Sequence, residues 1–352
     1  MKKMGLIVLL IVFIVCSCIY STACSLLKSD SNTDVDAVKD ESGETYSVAI
    51  SPSRTQNEVI FGQYPQTEMK SESVVTELDK KAGDLPTKEN NGSWTSYEYE
   101  KNGNSVEMWY KDVIYDSQKY RGVYYTTSRI NSEYEYVASR VYWFLYEPIH
   151  WSVLDENRGE LLLICNAALD SQEYSKYSDV MNNTSTSIAG NNYELSYIRS
   201  WLNNTFYNTA FTEKQKKYIL STTVKNSFEG NRYSCDDTND KVFLLSKEEA
   251  YSSRYGFQER SAYSNYGYQN VNNDSARCKR ATDYARSQTC DVNTDTSYYA
   301  REQRGNACWW LRTPDSDYSG MACFTNYYGS PEEISMVFEC KIGVVPVIRI
   351  KM

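Results

Sequence analysis

Residues 149–165 read IHWSVLDENRGELLLIC, and this stretch gives the clearest indication of the fold. Its first part alternates apolar and polar side chains around aromatic and β-branched residues, and 161–165 is a continuous apolar run typical of a buried strand. The polar segment 155–159 between them ends in a glycine, as turns often do. We therefore predict a hairpin over 151–165, with Trp151 and His150 on opposite faces because neighbouring strand residues alternate.

Helices are predicted further along, near the middle of the chain. Segment 196–206 repeats apolar residues at helical spacing and begins with Ser196, a suitable N-cap. The face that it would bury consists of Ile198, Trp201, Leu202 and Thr205. A second helix is predicted over 212–220 with Thr212 as its cap. Ser246 and the glutamate three residues later have the spacing of a capping box at the start of a short helix.

Strand patterns lie on both sides of these helices, which indicates an α+β class. The apolar, β-branched or aromatic runs are 58–61, 106–115, 120–125, 141–145, 241–246, 309–312 and 337–350. Apart from the two patches that it contains, 70–135 is polar and is predicted to be an irregular insertion. Segment 252–304 is rich in Asn and Tyr and is predicted to be mostly loop.

The first 24 residues have the features of an export signal. Two lysines precede an apolar run over 6–15, and cysteines follow at Cys18 and Cys24, each after a small residue. We expect a lipoprotein signal with one of these cysteines as the lipidation site, an uncleaved membrane anchor, or a secretion signal. Segment 25–57 is polar and predicts a disordered tether. Residues 58–352 then form a single domain outside the cytoplasm, anchored to the cell membrane.

The composition of the chain excludes some classes of binding partner. The net charge is −9, with 37 basic and 46 acidic residues, so the chain lacks the basic surface that nucleic-acid binding requires. Tyrosine occurs 32 times. It combines a large apolar ring with a polar tip, which suits recognition of sugars or proteins, although β-rich domains are also enriched in it. We expect a glycan or protein partner, and no nucleic acid.

Cysteine and histidine constrain the chemistry. Seven cysteines follow the leader, an odd number without a CxxC pair, which disfavours zinc-ribbon and thioredoxin-type sites. Cys278 with Cys290, and Cys323 with Cys340, are disulfide pairs that we consider on proximity in sequence alone. His150 is the single histidine and lies in a strand, so any hydrolase with a Ser-His-Asp triad depends on it alone. We interpret it as a surface residue.

A series of short motifs resembles a domain-of-unknown-function family found in surface proteins of Gram-positive bacteria. In chain order they are FGQYP (61–65), PIHWSVL (148–154), LLLICNAALDSQEY (161–174), IRSWLNNTFYNTAF (198–211), DKVFLLSKEEA (240–250), TDYA (282–285), WWLRTP (309–314) and GVVPVI (343–348). More distantly, the chain is similar to the C-type-lectin-like fold of formylglycine-generating enzymes. The resemblance implies one domain with two helices, short twisted strands and long loops.

Candidate binding residues lie in and after the predicted loop. We expect ligand contacts from Tyr266, Tyr268, Trp309, Arg312 and Asp315. Arg312, like Arg199, also suits a structural role, because a guanidinium can hold several carbonyls or a carboxylate. A calcium site is considered at Asp291, Asn293, Asp295 and Glu302, which follow EF-hand spacing but lack its glycine. A solvated acidic loop is the alternative, and apart from this possible calcium we expect no cofactor.

These observations predict a non-catalytic surface protein that recognises a glycan or a protein through the 252–304 loops. Two alternatives remain. One is an enzyme related to the formylglycine-generating group or another extracellular enzyme, which a Cys308–Cys323 metal pair would favour. The other is a structural surface module without catalytic function. The resemblance implies that oxidase activity requires two closely spaced thiols, and their absence from the C-terminal sequence counts against the first alternative. Disordered loops would favour the second.

Overall fold

β-Strands dominate the part of the chain that the structure describes. This computed structural model describes residues 34–39, 43–87, 89–101, 104–126, 136–182, 189–262 and 270–352, and the chain from Val35 onward forms one compact unit. The strands are β1 Val35–Lys39, β2 Thr45–Ala49, β3 Ser53–Thr55, β4 Glu58–Glu68, β5 Thr95–Lys101, β6 Asn104–Tyr115, β7 Gln118–Tyr125, β8 Val141–Asn157, β9 Glu160–Cys165, β10 Ala167–Ala168, β11 Asp170–Ser171, β12 Thr222–Val224, β13 Thr238–Asp240, β14 Val242–Phe243, β15 Lys279–Ala281, β16 Asn306–Ala307, β17 Trp309–Pro314, β18 Met321–Thr325, β19 Glu333–Met336, β20 Gly343–Val344 and β21 Val347–Lys351.

The helices are short. The α-helices are α1 Glu72–Ala82, α2 Tyr177–Asn182, α3 Tyr197–Trp201, α4 Tyr207–Ala210, α5 Lys247–Ala250 and α6 Asp283–Ser287. A π-helical turn, Leu202–Phe206, joins α3 to α4, and 3-10 turns lie at Gln215–Tyr218, Ser253–Tyr255, Ser275–Arg277 and Tyr298–Gln303. The fold is therefore mixed and mostly β, with more helices than the two expected. The polar segment 252–304 contains β15, α6 and 3-10 turns, so it is less loop-like than predicted.

Strand β8 organises the largest sheet. The order is β14-β21-β9-β8-β7-β6-β5, with β4 also paired to β8 and β3 to β4. Phe144 pairs with residues of both β4 and β7, and Trp151 pairs with residues of both β4 and β9. Since a strand has only two edges, β4 occupies one edge of β8, and β7 and β9 share the other. A second sheet has the order β11-β20-β17-β18-β19.

The predicted hairpin is confirmed. β8 and β9 pair antiparallel up to Asn157 and Glu160, and the two residues between them, Arg158 and Gly159, have φ of 51° and 79°. Positive φ at both positions is typical of the primed turns that match strand twist. Trp151 is fully buried and its Nε1 donates to the Phe61 carbonyl at 2.8 Å.

His150 lies on the other face of β8, as predicted. Its side chain is half exposed, and Nδ1 lies 3.0 Å from Glu58 Oε1. The exposed imidazole pairs with one surface carboxylate, and no serine among the described residues hydrogen-bonds it to complete a catalytic triad. The interpretation of His150 as a surface residue is confirmed.

The described part of 70–135 is more regular than predicted, and its two predicted strand patches, 106–115 and 120–125, are confirmed as β6 and β7. It contains helix α1 and strands β5, β6 and β7. One face of β6–β8 packs on α1 through a small core that includes Leu78, Trp94 and Trp143. Gly122 lies on that face, where an added Cβ would come within 2.8 Å of the Trp143 ring. Helix α1 and strand β5 were missed because their sequences are mostly polar.

The central helix begins as predicted. The Ser196 side chain accepts from the Arg199 backbone N–H. Ile198, Trp201 and Leu202 are buried, but Thr205 is exposed and Phe206 is buried in its place. A π turn has more residues per turn than an α-helix, so it shifts the buried face by about one residue.

The other two helix starts are partly confirmed. Ser246 and Glu249 form the predicted capping box. The helix predicted over 212–220 is only the 3-10 turn Gln215–Tyr218, although Thr212 does accept from the Gln215 N–H at 3.3 Å.

The tether predicted over 25–57 is structured from Val35 onward. β1 and β2 form a hairpin that buries Tyr46 and Val48 against Ile114, and β3 pairs with β4. The hairpin was not predicted because its alternating apolar residues are too few to stand out in a polar segment. The predicted leader 1–24, with Cys18 and Cys24, lies outside the described residues. Within those residues, no helix is long and apolar enough to cross a membrane.

We predict that Gly62→Ala destabilises the protein more than Gly159→Ala. Both glycines have positive φ, 74° and 79°, so both variants carry a similar backbone cost of about 1–2 kcal/mol. A Cβ at Gly62 would also lie 2.5 Å from the Phe211 ring, whereas Gly159 faces open space. Overpacking should add about 1–3 kcal/mol at Gly62 alone. Urea unfolding of both variants measures the difference, and equal destabilisation would contradict this packing.

Candidate functional site

Trp309, Arg312 and Asp315, predicted to contact ligand, are used within the fold instead. Trp309 is fully buried and donates from Nε1 to the Arg277 carbonyl at 3.0 Å. The Asp315 carboxylate accepts from the N–H groups of Asp317 and Tyr318 and closes a local turn. Strand β17 is the middle strand of the five-stranded sheet, and this placement buries its WWLRTP side chains. The other two candidates, Tyr266 and Tyr268, lie outside the described residues.

Arg312 has the structural role that was considered for it. Its guanidinium bonds both carboxylate oxygens of Glu249 and the carbonyls of Leu244 and Lys225. Only 1 % of the side chain is exposed, so the guanidinium is not available to a ligand. Arg199 likewise pairs with Asp240 at 2.8 Å.

Three of the four candidate calcium ligands in 291–302 bond other groups of the protein. The Asp291 carboxylate accepts from the Tyr327 hydroxyl. Asn293 Oδ1 accepts from the Asp295 N–H at 2.9 Å, and Asp295 Oδ1 accepts from the Ser297 N–H at 2.7 Å. Glu302 is exposed in a 3-10 turn. Only Asn293 and Asp295 bond the local backbone in this way, and no group of three metal-ligating side chains occurs among the residues that the structure describes.

None of the seven cysteines after the leader, all of them among the described residues, is in a disulfide, so neither of the two pairs considered is formed. Cys308 and Cys323, the thiols on which the oxidase alternative depends, are both buried. Burial raises the pKa of Cys323 to about 11, and it also raises that of Cys308. Because metals and oxygen chemistry require the thiolate, this environment gives no support to a metal-activated pair.

A narrow cleft, with about 30 Å³ of free space inside it, opens to solvent between two walls. One wall is the core-facing side of β6 and β7, with Met108, Tyr110, Arg121 and Val123. The other comes from the second half of the chain, where Asp170 and Gln172 follow β10, Trp201 and Thr205 lie on the central helix, and Tyr284 and Gln288 lie on or after α6. Tyr64 of the FGQYP motif completes the floor.

Asp170 is the centre of the floor. Its Oδ2 accepts from the Tyr64 hydroxyl at 2.6 Å, and its Oδ1 accepts from the Ser171 N–H at 2.7 Å and from Gln172 Nε2 at 2.9 Å. The side chain is almost completely buried. Burial raises the pKa of Asp170 to about 6, although the three donors act in the opposite direction. A carboxyl group that changes charge near neutral pH thus lies at the base of the cleft.

Gln172 connects this floor to the rim. Its Oε1 accepts from the hydroxyls of Tyr97 and, at 3.4 Å, Tyr197. Tyr97 is half-buried, and the Lys176 ammonium lies 3.9 Å from the centre of the Tyr197 ring. Polar groups therefore extend continuously from Asp170 to solvent, beside apolar surface from Met108 and Val123.

Arg121 lies in the strand wall and is paired. It makes two hydrogen bonds to Asp112, at 2.8 and 3.0 Å, and its guanidinium lies 4.6 Å from the centre of the Tyr110 ring. Burial alone would raise the pKa of Asp112, but the charges of Arg121 and Lys119 lower it well below its ordinary value. Asp112 thus stays ionised, and the pair fixes the position of Tyr110 at the cleft.

Sequence reasoning missed this cleft because its walls come from distant segments. One local signal was available. Asp170, Ser171, Gln172 and Glu173 follow directly on a continuous apolar strand, and a polar run at that position is buried only when hydrogen bonds satisfy it.

We predict that Asp170→Asn changes the pH dependence of stability. The carboxyl has a pKa of about 6 when folded and 3.8 as its ordinary value, so between these values the folded state binds more protons than the unfolded state. The free energy of unfolding of the wild type should then fall as pH rises from 4 to 7, by about 3 kcal/mol from this group. The asparagine variant lacks this contribution.

Urea unfolding of both proteins at pH 4, 5, 6 and 7 tests the prediction. The difference between the two free energies should shift steadily in favour of the variant, because all other titrating groups cancel. A constant difference would show that Asp170 does not titrate in this range.

The residues of the second wall lie in a segment that matches a known family model. A family model described as a domain of unknown function (DUF6273) matches residues 158–352, more than half of the chain, so the chain belongs to this family. No curated protein and no solved structure gave a significant match. The strand wall, including Tyr110 and Arg121, precedes the matched residues.

Proposed function

We propose that this member of the DUF6273 family is a non-catalytic binding protein that holds part of a glycan at the mouth of the cleft above Asp170. The observation that carries the proposal is the combination of an apolar and aromatic wall with a hydrogen-bonding floor. Sugars have apolar C–H faces and hydroxyl edges, and sites with rigid aromatic rings and a few placed polar groups suit both. Tyr110 offers the ring, and the exposed Thr205 offers a hydroxyl.

The cleft replaces the 252–304 loops as the main contact surface in this proposal. The described part of those loops supports the cleft instead, since Tyr284 and Gln288 contribute to it. Tyr266 and Tyr268 remain candidates for additional contacts with a glycan or with a protein partner.

We further propose the setting that the sequence suggests. The apolar leader over 1–24 would anchor the chain to the cell membrane, through lipid on Cys18 or Cys24 or as an uncleaved span, with the domain outside the cell. A C-type-lectin-like relationship is also kept as a proposal, resting on the order of the motifs alone.

We predict that Tyr110→Ala weakens glycan binding about three- to tenfold. Loss of a stacked ring costs about 0.5–1.5 kcal/mol, which corresponds to that range. Full-length chain is first screened on a glycan array, and the best ligand is then titrated by calorimetry. Calcium and a chelator are compared, and we expect no change because the 291–302 carboxylates lie outside the cleft.

Tyr318→Ala is the matched control. Tyr318 is an exposed tyrosine at the β17–β18 connection and does not line the cleft. Its removal should leave affinity unchanged. If both variants bind like the wild type, the ligand lies elsewhere. If no glycan binds at all, the proposed function is wrong.

A further inference from the structure

We infer that the cleft selects an uncharged sugar over its anionic counterpart. This inference rests on the proposed glycan binding and specifies the ligand class. It starts from the charges at the cleft. Two of its lining side chains are charged, Arg121 and Asp170, and each already has its partners within the protein.

The positive charge of Arg121 is neutralised within the protein. Asp112 accepts from Arg121 through both of its oxygens. Asp112 is held further by the Tyr146 hydroxyl at 2.8 Å and by Lys119 at 3.1 Å. A carboxylate on the ligand would have to compete with this preformed bidentate pair. Such planar pairs are among the strongest charge-assisted contacts, so the competition is unfavourable.

The floor adds a second penalty for an anion. Asp170 accepts three hydrogen bonds and is ionised above pH 6, so a nearby ligand carboxylate would meet a like charge. Burying an unpaired charge is costly, whereas ligand hydroxyl groups can exchange their water contacts for the Thr205 hydroxyl and the Gln288 amide, which both line the cleft. The chain's net charge of −9 acts in the same direction at longer range.

The experiment compares matched pairs of sugars with full-length wild-type chain at pH 7.5. Methyl glucoside is paired with methyl glucuronide, and methyl galactoside with methyl galacturonide, by ligand-observed NMR at 50 and 500 mM NaCl. We expect the neutral member to bind at least tenfold more tightly, with a Kd that changes less than twofold with salt. Tighter binding of the uronide that weakens with salt would overturn the inference and leave glycan binding intact. Binding of neither pair, together with a silent glycan array, would overturn both.

A charge variant tests the stated cause. Asp112→Asn removes the partner of Arg121, so the ratio of uronide to neutral affinity should rise at least fivefold. Asp317→Asn makes the same change in net charge at an exposed site away from the cleft and should leave the ratio unchanged. An equal ratio in a folded Asp112→Asn protein would contradict the role of the pair. If that variant does not fold, the wild-type sugar pairs alone decide.

Discussion

The structure depends on the way in which one long strand, β8, pairs along both of its edges. β4 runs beside most of its length, and the opposite edge is divided between β7 and β9. Each ladder hydrogen bond contributes only about 1 kcal/mol, but the bonds act together and fix the register of three strands. Because β7 and β9 share an edge, the strands outside the family match stand next to the family domain. The cleft is a consequence of that arrangement.

The loop-rich half is held by buried guanidinium groups instead of disulfides. Arg277 is completely buried and donates to the carbonyls of Gly329, Ala250, Gln258 and Asn272. Arg312 similarly joins β17 to α5 and to the chain after β12. A loop carbonyl that loses such a donor remains buried and unsatisfied, which costs about 1–3 kcal/mol. Two arginines therefore order several loops that lack regular pairing.

Local signals in the sequence were sufficient for local structure. The hairpin turn at Gly159, the alternation that separates Trp151 from His150, and the caps at Ser196 and Ser246 all involve residues within a few positions of one another. Such patterns report hydrogen bonds that form within one turn, so they can be recognised without knowing the fold.

Non-local structure could not be predicted in the same way. The strands in 70–135 alternate polar and aromatic residues because one face packs on α1 and the other lines the main core and the cleft, and neither partner is adjacent in sequence. Trp309 and Arg312 were expected at a binding surface, but their strand lies in the middle of a sheet. The cleft brings Tyr64 and Asp170 into contact across more than a hundred residues, and only the paired strands bring them together.

The π turn at Leu202–Phe206 has a consequence for the evolution of this domain. It is equivalent to one residue inserted into an α-helix. Without that residue the segment could still form all of its helical hydrogen bonds as a regular α-helix. However, α3 would be rotated relative to α4 by about 100°. Either Trp201 or Ala210 would then leave the core. The number of residues in this helical wall of the cleft is thus constrained, whereas exposed positions such as Asn204 tolerate substitution. Relatives should therefore differ here in residue identity and not in residue number.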